Sequence, residues 1–134
     1  VNKAVKLLID TQVFIWLINE DKRLGTEALR TLQDPASQLC ISYFSFFEMT
    51  IKASIGKLSY DSSIVEDLPN MGIELIMPDT SALHDYKIFN ADNKDPFDNI
   101  LIATALSEKC VFITSDPKIL SVTVSGLNLI DATV

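Results

Sequence analysis

Five short apolar runs, set apart by longer stretches with helical spacing, are the feature that most restricts how this chain can fold. The runs are Val5–Ile9, Gln38–Ser42, Ile73–Met77, Cys110–Thr114 and Leu127–Ile130. Most are nearly continuous and do not alternate with polar residues, as expected of strands covered on both faces. After the first run, Val13, Phe14, Trp16 and Leu17 recur at helical spacing, and Gly25-Thr26 opens a second helix that closes near Asp34-Pro35. Tyr43–Ile55 reads as a helix ended by Gly56, and Ile64–Leu68 as a short one. Ser81–Phe89 is a helix before a polar loop, Pro96–Glu108 a long helix, and Asp116–Leu120 a helical turn. This alternation predicts an α/β fold, a parallel sheet with helices on both faces. With no repeat, linker or low-complexity segment, residues 1–134 are expected to form a single domain with a real core.

Composition narrows the function classes. Hydrophobic residues at 48% and charged residues at 22% argue against disorder. No apolar run is long enough to cross a bilayer. The stretch before Asp10 is too short for a signal-peptide core and lacks a small-residue cleavage site, so a cytoplasmic location is expected. One histidine and two separated cysteines do not make a usual zinc site, and Cys40 and Cys110 are expected to be buried, reduced thiols. Phosphate-loop and dinucleotide fingerprints are absent, in keeping with only four glycines. The formal charge of −7 is opposite to what broad attraction to nucleic acid requires. It marks either an ordinary acidic domain or acids clustered to work with divalent cations.

Four acids decide between these, and each has a purely structural explanation. Asp10-Thr11 and Asp116-Pro117 have the form of helix N-caps, where Asp is favoured and Pro suits the first helical position. Asp95-Pro96-Phe97-Asp98 and Ser45-Phe46-Phe47-Glu48 both fit capping boxes, and Glu48 is one turn from Lys52. Jointly the four make a different case. Asp10 and Asp116 follow strands, Ser42 ends a strand feeding the helix of Glu48, and Asp98 lies in the first turn of another helix. One end of a parallel sheet, where ligands bind in such folds, collects all of them. At ~4 Å each like-charge pair costs about 4 kcal/mol at an effective dielectric near 20. Helix N-termini offset only about 0.3–1 kcal/mol per charge. Such a cluster needs protons or a divalent cation, and Mg²⁺ or Mn²⁺ suits an all-oxygen site.

These segments resemble the PIN-domain nucleases, and among them the VapC-type toxins of bacterial toxin–antitoxin pairs. The resemblance is carried by Leu7-Leu8-Ile9-Asp10-Thr11, by Ser42 through Glu48 with Lys52, by Asp95-Pro96-Phe97-Asp98 running into Leu101-Ile102-Ala103-Thr104-Ala105, and by Thr114-Ser115-Asp116. It implies a three-layer α/β/α sandwich with a mostly parallel sheet. It also implies a catalytic quartet of Asp10, Glu48, Asp98 and Asp116 that cleaves RNA with Mg²⁺ or Mn²⁺, a homodimer, and a cognate antitoxin that blocks the site. Asn93 and Asn99 depart from the His and Arg common at those positions in the toxins, which bears on substrate preference more than on reaction type.

Within that resemblance, Asp10 and Asp98 hold the cation, Asp116 completes its coordination directly or through water, and Glu48 either handles the attacking water or serves as a ligand. Thr11 and Thr114 either position the carboxylates by hydrogen bonds or, the favoured reading, cap backbone, and His84 is expected to be a partly exposed surface residue. Lys52, Lys57, Lys94 and Lys118 are candidates to grip RNA, or else ordinary solvated charge. Tyr43, Phe44, Phe46, Phe47 and Met49 give one helix more apolar surface than a single buried face uses, which fits a partner contact. A haloacid-dehalogenase-type phosphatase would place a second Asp where Gln12 stands. The main rival is a non-catalytic PIN-like module that binds RNA or protein, its acids serving only as caps.

Overall fold

A computed structural model describes residues 5–88 and 95–134, without the side chains of residues 87 and 88. The expected loop at 90–94, Asn93 and Lys94 among it, and Phe89 lie outside the described residues. The strands are β1 (Val5–Ile9), β2 (Ser37–Ser42), β3 (Ile73–Ile76), β4 (Val111–Thr114) and β5 (Asn128–Asp131). The helices are α1 (Thr11–Ile18), α2 (Thr26–Gln33), α3 (Tyr43–Ser54), α4 (Ile64–Asp67), α5 (Thr80–Ile88), α6 (Pro96–Glu108) and α7 (Pro117–Leu120), with a 3₁₀ turn at Leu68–Met71 after α4. All five apolar runs are strands, displaced from the expected bounds by a residue or so. None of the described helices is long and apolar enough to cross a membrane.

The sheet is wholly parallel among the described residues, in the order β3-β2-β1-β4-β5. The chain builds from β1 outward through β2 and β3, then returns to lay β4 and β5 on the other side of β1. The strand order therefore reverses between β1 and β4, and their carboxyl ends flank a crevice of the kind that binds ligands in open α/β sheets.

Alternate residues of each strand serve opposite layers. Leu7 and Ile9 join Phe14 and Trp16 of α1, Ala28 and Leu32 of α2, and Phe46 and Met49 of α3. Leu8, Cys40 and Phe112 join Leu101, Ile102 and Ala105 of α6 and Ile119 of α7. Each fully buried Leu, Ile or Phe contributes about 1.5–3 kcal/mol, which explains why the strands are apolar on both faces. Cys40 and Cys110 are buried and free, as expected, with Sγ atoms 3.9 Å apart.

Helix α3 corrects one sequence expectation. Ser42, extended at φ −79° and ψ 142°, is its N-cap, and its Oγ accepts from Phe44 N at 3.1 Å. Ser45 and Glu48 thus sit inside the helix and do not form a capping box. The apolar excess on this helix is also resolved. Phe46 and Met49 enter the core, whereas Tyr43, Phe47, Ile51 and Ile55 are exposed at four-residue spacing, forming one ridge along the helix.

Candidate active site

Four elements deliver the four acids to one place. Asp10 ends β1 and caps α1, its extended backbone (φ −65°, ψ 154°) turning the chain from strand to helix. Asp116 follows β4 and caps α7, accepting from Lys118 N at 2.9 Å, with Pro117 at the first helical position. Asp95 caps α6 through bonds from the Phe97 and Asp98 amides, which sets Asp98 in the first turn. Glu48 lies on α3, which packs against α6 and is tied to its first turn by the Phe47 and Phe97 rings, 6.1 Å apart.

Asp10, Glu48, Asp98 and Asp116 all line a single cleft of about 500 Å³ at the carboxyl ends of β1 and β4. Asp95 lines it too, although the sequence marks it only as a cap. Lys52 and Lys57 are on the same walls, facing five carboxylates, and Ile15, Met49 and Leu58 give one side an apolar edge. Lys118 contributes its backbone amide to Asp116 but does not line the cleft, and His84 is exposed on α5 away from it.

Of the two roles open to the threonines, both hydroxyls take the one of holding a carboxylate, and Thr114 takes the other as well. Thr114, fully buried, donates to Asp10 Oδ2 at 2.6 Å and accepts from Asp116 N at 3.1 Å, so one hydroxyl joins two of the acid-bearing turns. The Thr11 amide is the one that Asp10 caps, donating to Asp10 Oδ1 at 2.8 Å. Its hydroxyl lies 3.0 Å from Glu48 Oε1 and 2.9 Å from Ser45 Oγ. Glu48 Oε2 is 3.1 Å from Lys52 Nζ, the ion pair expected from their spacing. Ser45, which has the look of a cap in the sequence, is fully buried against the Thr11 hydroxyl.

The electrostatics follow from burial. Asp10 is 7% exposed, and loss of water is the largest influence on it, pushing its carboxyl up to about 6. Hydrogen bonds from Thr114 and Thr11 pull the other way, while the charges of Asp98 and Glu48 add to the rise. Burial thus disfavours the charged form of this carboxyl.

A cation would offset that cost, and acids offering only oxygen donors suit a hard divalent ion such as Mg²⁺ or Mn²⁺. Among the described residues no three acids converge closely enough to enclose an ion by themselves.

Comparisons with known proteins agree with this architecture. The PIN-domain family model matches residues 7–124. Comparison with curated proteins gives no significant match. The fold is similar to a chain in VapBC-1 from nontypeable Haemophilus influenzae, at 22% identity and a TM-score of 0.69, covering 96% of this chain and 99% of that one. It is similar also to a chain of VapBC2 from Rickettsia felis bound to a promoter DNA fragment, at 16% identity and a TM-score of 0.71, covering 95% and 98%. A toxin–antitoxin complex from Klebsiella pneumoniae matches at 18% identity and a TM-score of 0.61, covering 94% and 97%. At these identities the solved structures speak to the fold, and the family match speaks to descent. The chain belongs to the PIN-domain family.

Proposed function

We propose that residues 1–134 act as one metal-dependent endoribonuclease domain, the toxin of a toxin–antitoxin pair working in the cytoplasm. The observation that carries this reading is the meeting of Asp10, Glu48, Asp98 and Asp116 in one cleft at the reversal of strand order, with Asp10 buried. Helix capping accounts for Asp10 and Asp116 one at a time; it does not account for Glu48 and Asp98 facing them.

In this reading Asp10, Asp98 and Asp116 hold Mg²⁺ or Mn²⁺, directly or through water. Bound there, the cation lowers the pKa of water and offsets charge building on the phosphate. Glu48 orients the attacking water and takes its proton, while the water oxygen bonds to phosphorus, the bond to the leaving ribose oxygen breaks and that oxygen takes a proton from solvent water. Lys52 and Lys57 attract the RNA backbone locally, which an acidic protein needs because its overall field repels RNA. The exposed ridge of Tyr43, Phe47, Ile51 and Ile55 supplies apolar surface for the partners this class requires, a second copy and an antitoxin. The toxin–antitoxin assemblies that share the fold support that assignment.

A non-catalytic PIN-like module is the second reading, favoured by one observation: Asp10 and Asp116 are both engaged as helix caps. Thermal melting in EDTA, Mg²⁺ and Mn²⁺ separates the two. The nuclease reading expects the metals to raise the melting temperature of the wild type, through preferential binding to the folded state, and Asp98→Asn to lose most of that rise. RNA cleavage should disappear in folded Asp10→Asn and Asp98→Asn. A wild type indifferent to both metals and inactive on RNA supports the binding module instead.

A further inference from the structure

The hydrogen bonds around Glu48 form a directed chain. An ionised carboxylate only accepts, so the single proton of the Thr11 hydroxyl goes to Glu48 Oε1, 3.0 Å away. The Thr11 oxygen then accepts from Ser45 Oγ at 2.9 Å, which gives the Ser45 proton its direction as well. Lys52 holds the other Glu48 oxygen. Thr11 is 5% exposed and Ser45 is fully buried, so neither hydroxyl has water as an easy alternative. No capping duty explains Ser45, because Ser42 caps α3. The same Thr11 holds Asp10 Oδ1 through its amide. One residue therefore sets the spacing between two acids on different elements.

We propose that Thr11 and Ser45 are positioning residues, whose relay of Ser45 to Thr11 to Glu48 fixes the Glu48 carboxylate toward the cleft before substrate arrives. The inference rests on the nuclease reading, with Glu48 handling the attacking water. Fixing the carboxylate matters because a misplacement of about 1 Å in an attacking group costs on the order of a hundredfold in rate. The relay acts on Glu48 alone; the amide that holds Asp10 is backbone, and side-chain substitution leaves it in place.

The test compares wild type with Thr11→Val, Thr11→Ser and Ser45→Ala, in Mn²⁺-supported RNA cleavage and in thermal melting with and without Mn²⁺. Thr11→Val keeps the shape of the side chain and loses the donor. It is expected to lower kcat about 10- to 100-fold with KM nearly unchanged. Thr11→Ser restores the donor and most of the rate. Ser45→Ala, one step further from the cleft, is expected to lower kcat roughly 3- to 10-fold, a weaker outer-shell effect, and serves as the deciding variant if Thr11→Val melts poorly. The rise in melting temperature on adding Mn²⁺ should match wild type in all three, since the Asp10 and Asp98 carboxylates are untouched. Wild-type kcat in Thr11→Val or in folded Ser45→Ala overturns the relay while leaving the nuclease reading standing. An equal loss in Thr11→Ser and Thr11→Val also overturns it. A wild type that neither cleaves RNA nor responds to Mn²⁺ overturns the nuclease reading and the relay with it.

Discussion

Asp10 and Asp131 are both aspartates at the carboxyl ends of strands, and each accepts one backbone N–H and one threonine hydroxyl. Asp131 takes them from Thr133, at 2.9 Å and 2.7 Å. Asp10 takes them from Thr11 and Thr114, at 2.8 Å and 2.6 Å. Local chemistry is the same, yet the carboxyls move in opposite directions. The Thr133 hydroxyl and amide hold Asp131 below the usual carboxylate range, whereas burial drives Asp10 up to about 6. The difference is place in the sheet. β5 is an edge strand open to water, while β1 is central, its end covered by α1 and α3 and faced by Asp98 and Glu48. Hydrogen bonds of one kind thus cap a turn at the edge and hold an acid-lined cleft together at the centre.

The largest expected effect separates these two aspartates by activity. Asp10→Asn should lower RNA cleavage by about a thousandfold or more, since several kcal/mol of charge stabilisation is at stake. Asp131→Asn, assayed beside it, should cleave like wild type. Equal activity of the two variants would remove the distinction drawn between the sites.

Stability against pH is the second test, and its sign differs between the two. The Asp10 carboxyl is raised from 3.8 to about 6, so between those values the folded protein keeps a proton the unfolded chain has released. Stability therefore falls as pH rises through that window, and the penalty is complete above it. In metal-free buffer the stability of Asp10→Asn relative to wild type is expected to rise with pH through the window from 3.8 to about 6 and to level off above it. Asp131 is lowered, so it stabilises above its unfolded value and that contribution is lost as pH falls through its folded one. Urea melts of both variants from pH 4 to 8 check the opposite slopes. A wild type that gains on Asp10→Asn as pH rises would show that the carboxylate is well compensated without metal.

The smallest effect concerns the lysines. Lys57→Ala, removing a charge from the cleft wall, should raise KM for RNA roughly 2- to 5-fold, the scale of one exposed ionic contact. Lys118→Ala should not change it, because that side chain is outside the cleft. A larger effect from Lys118 would move the RNA path toward α7.

Strands and helices were legible in the chain because burial on two faces leaves continuous apolar runs and burial on one leaves a helical period. The quartet was legible because acids at strand ends and helix starts are conspicuous. Ser45 was not. Ser-x-x-Glu fits a capping box, and only the extended turn at Ser42 shows which serine begins α3. For Thr11 and Thr114 the sequence leaves carboxylate positioning and backbone capping both open and favours capping, because a hydroxyl beside a strand end has backbone partners nearby, whereas their carboxylate partners are 37 and 104 residues away.

By itself, then, the sequence determined the alternation of elements, the acids at their junctions and the caps that turn strand into helix, all of which depend on neighbours along the chain. Tertiary structure decided the strand order that opens the crevice between β1 and β4 and the burial that lifts Asp10. It also decided the pairing of Thr11 with Glu48 and of Thr114 with Asp10. Those depend on how much water each group loses and on which distant oxygen it meets, and both are set only when the layers close.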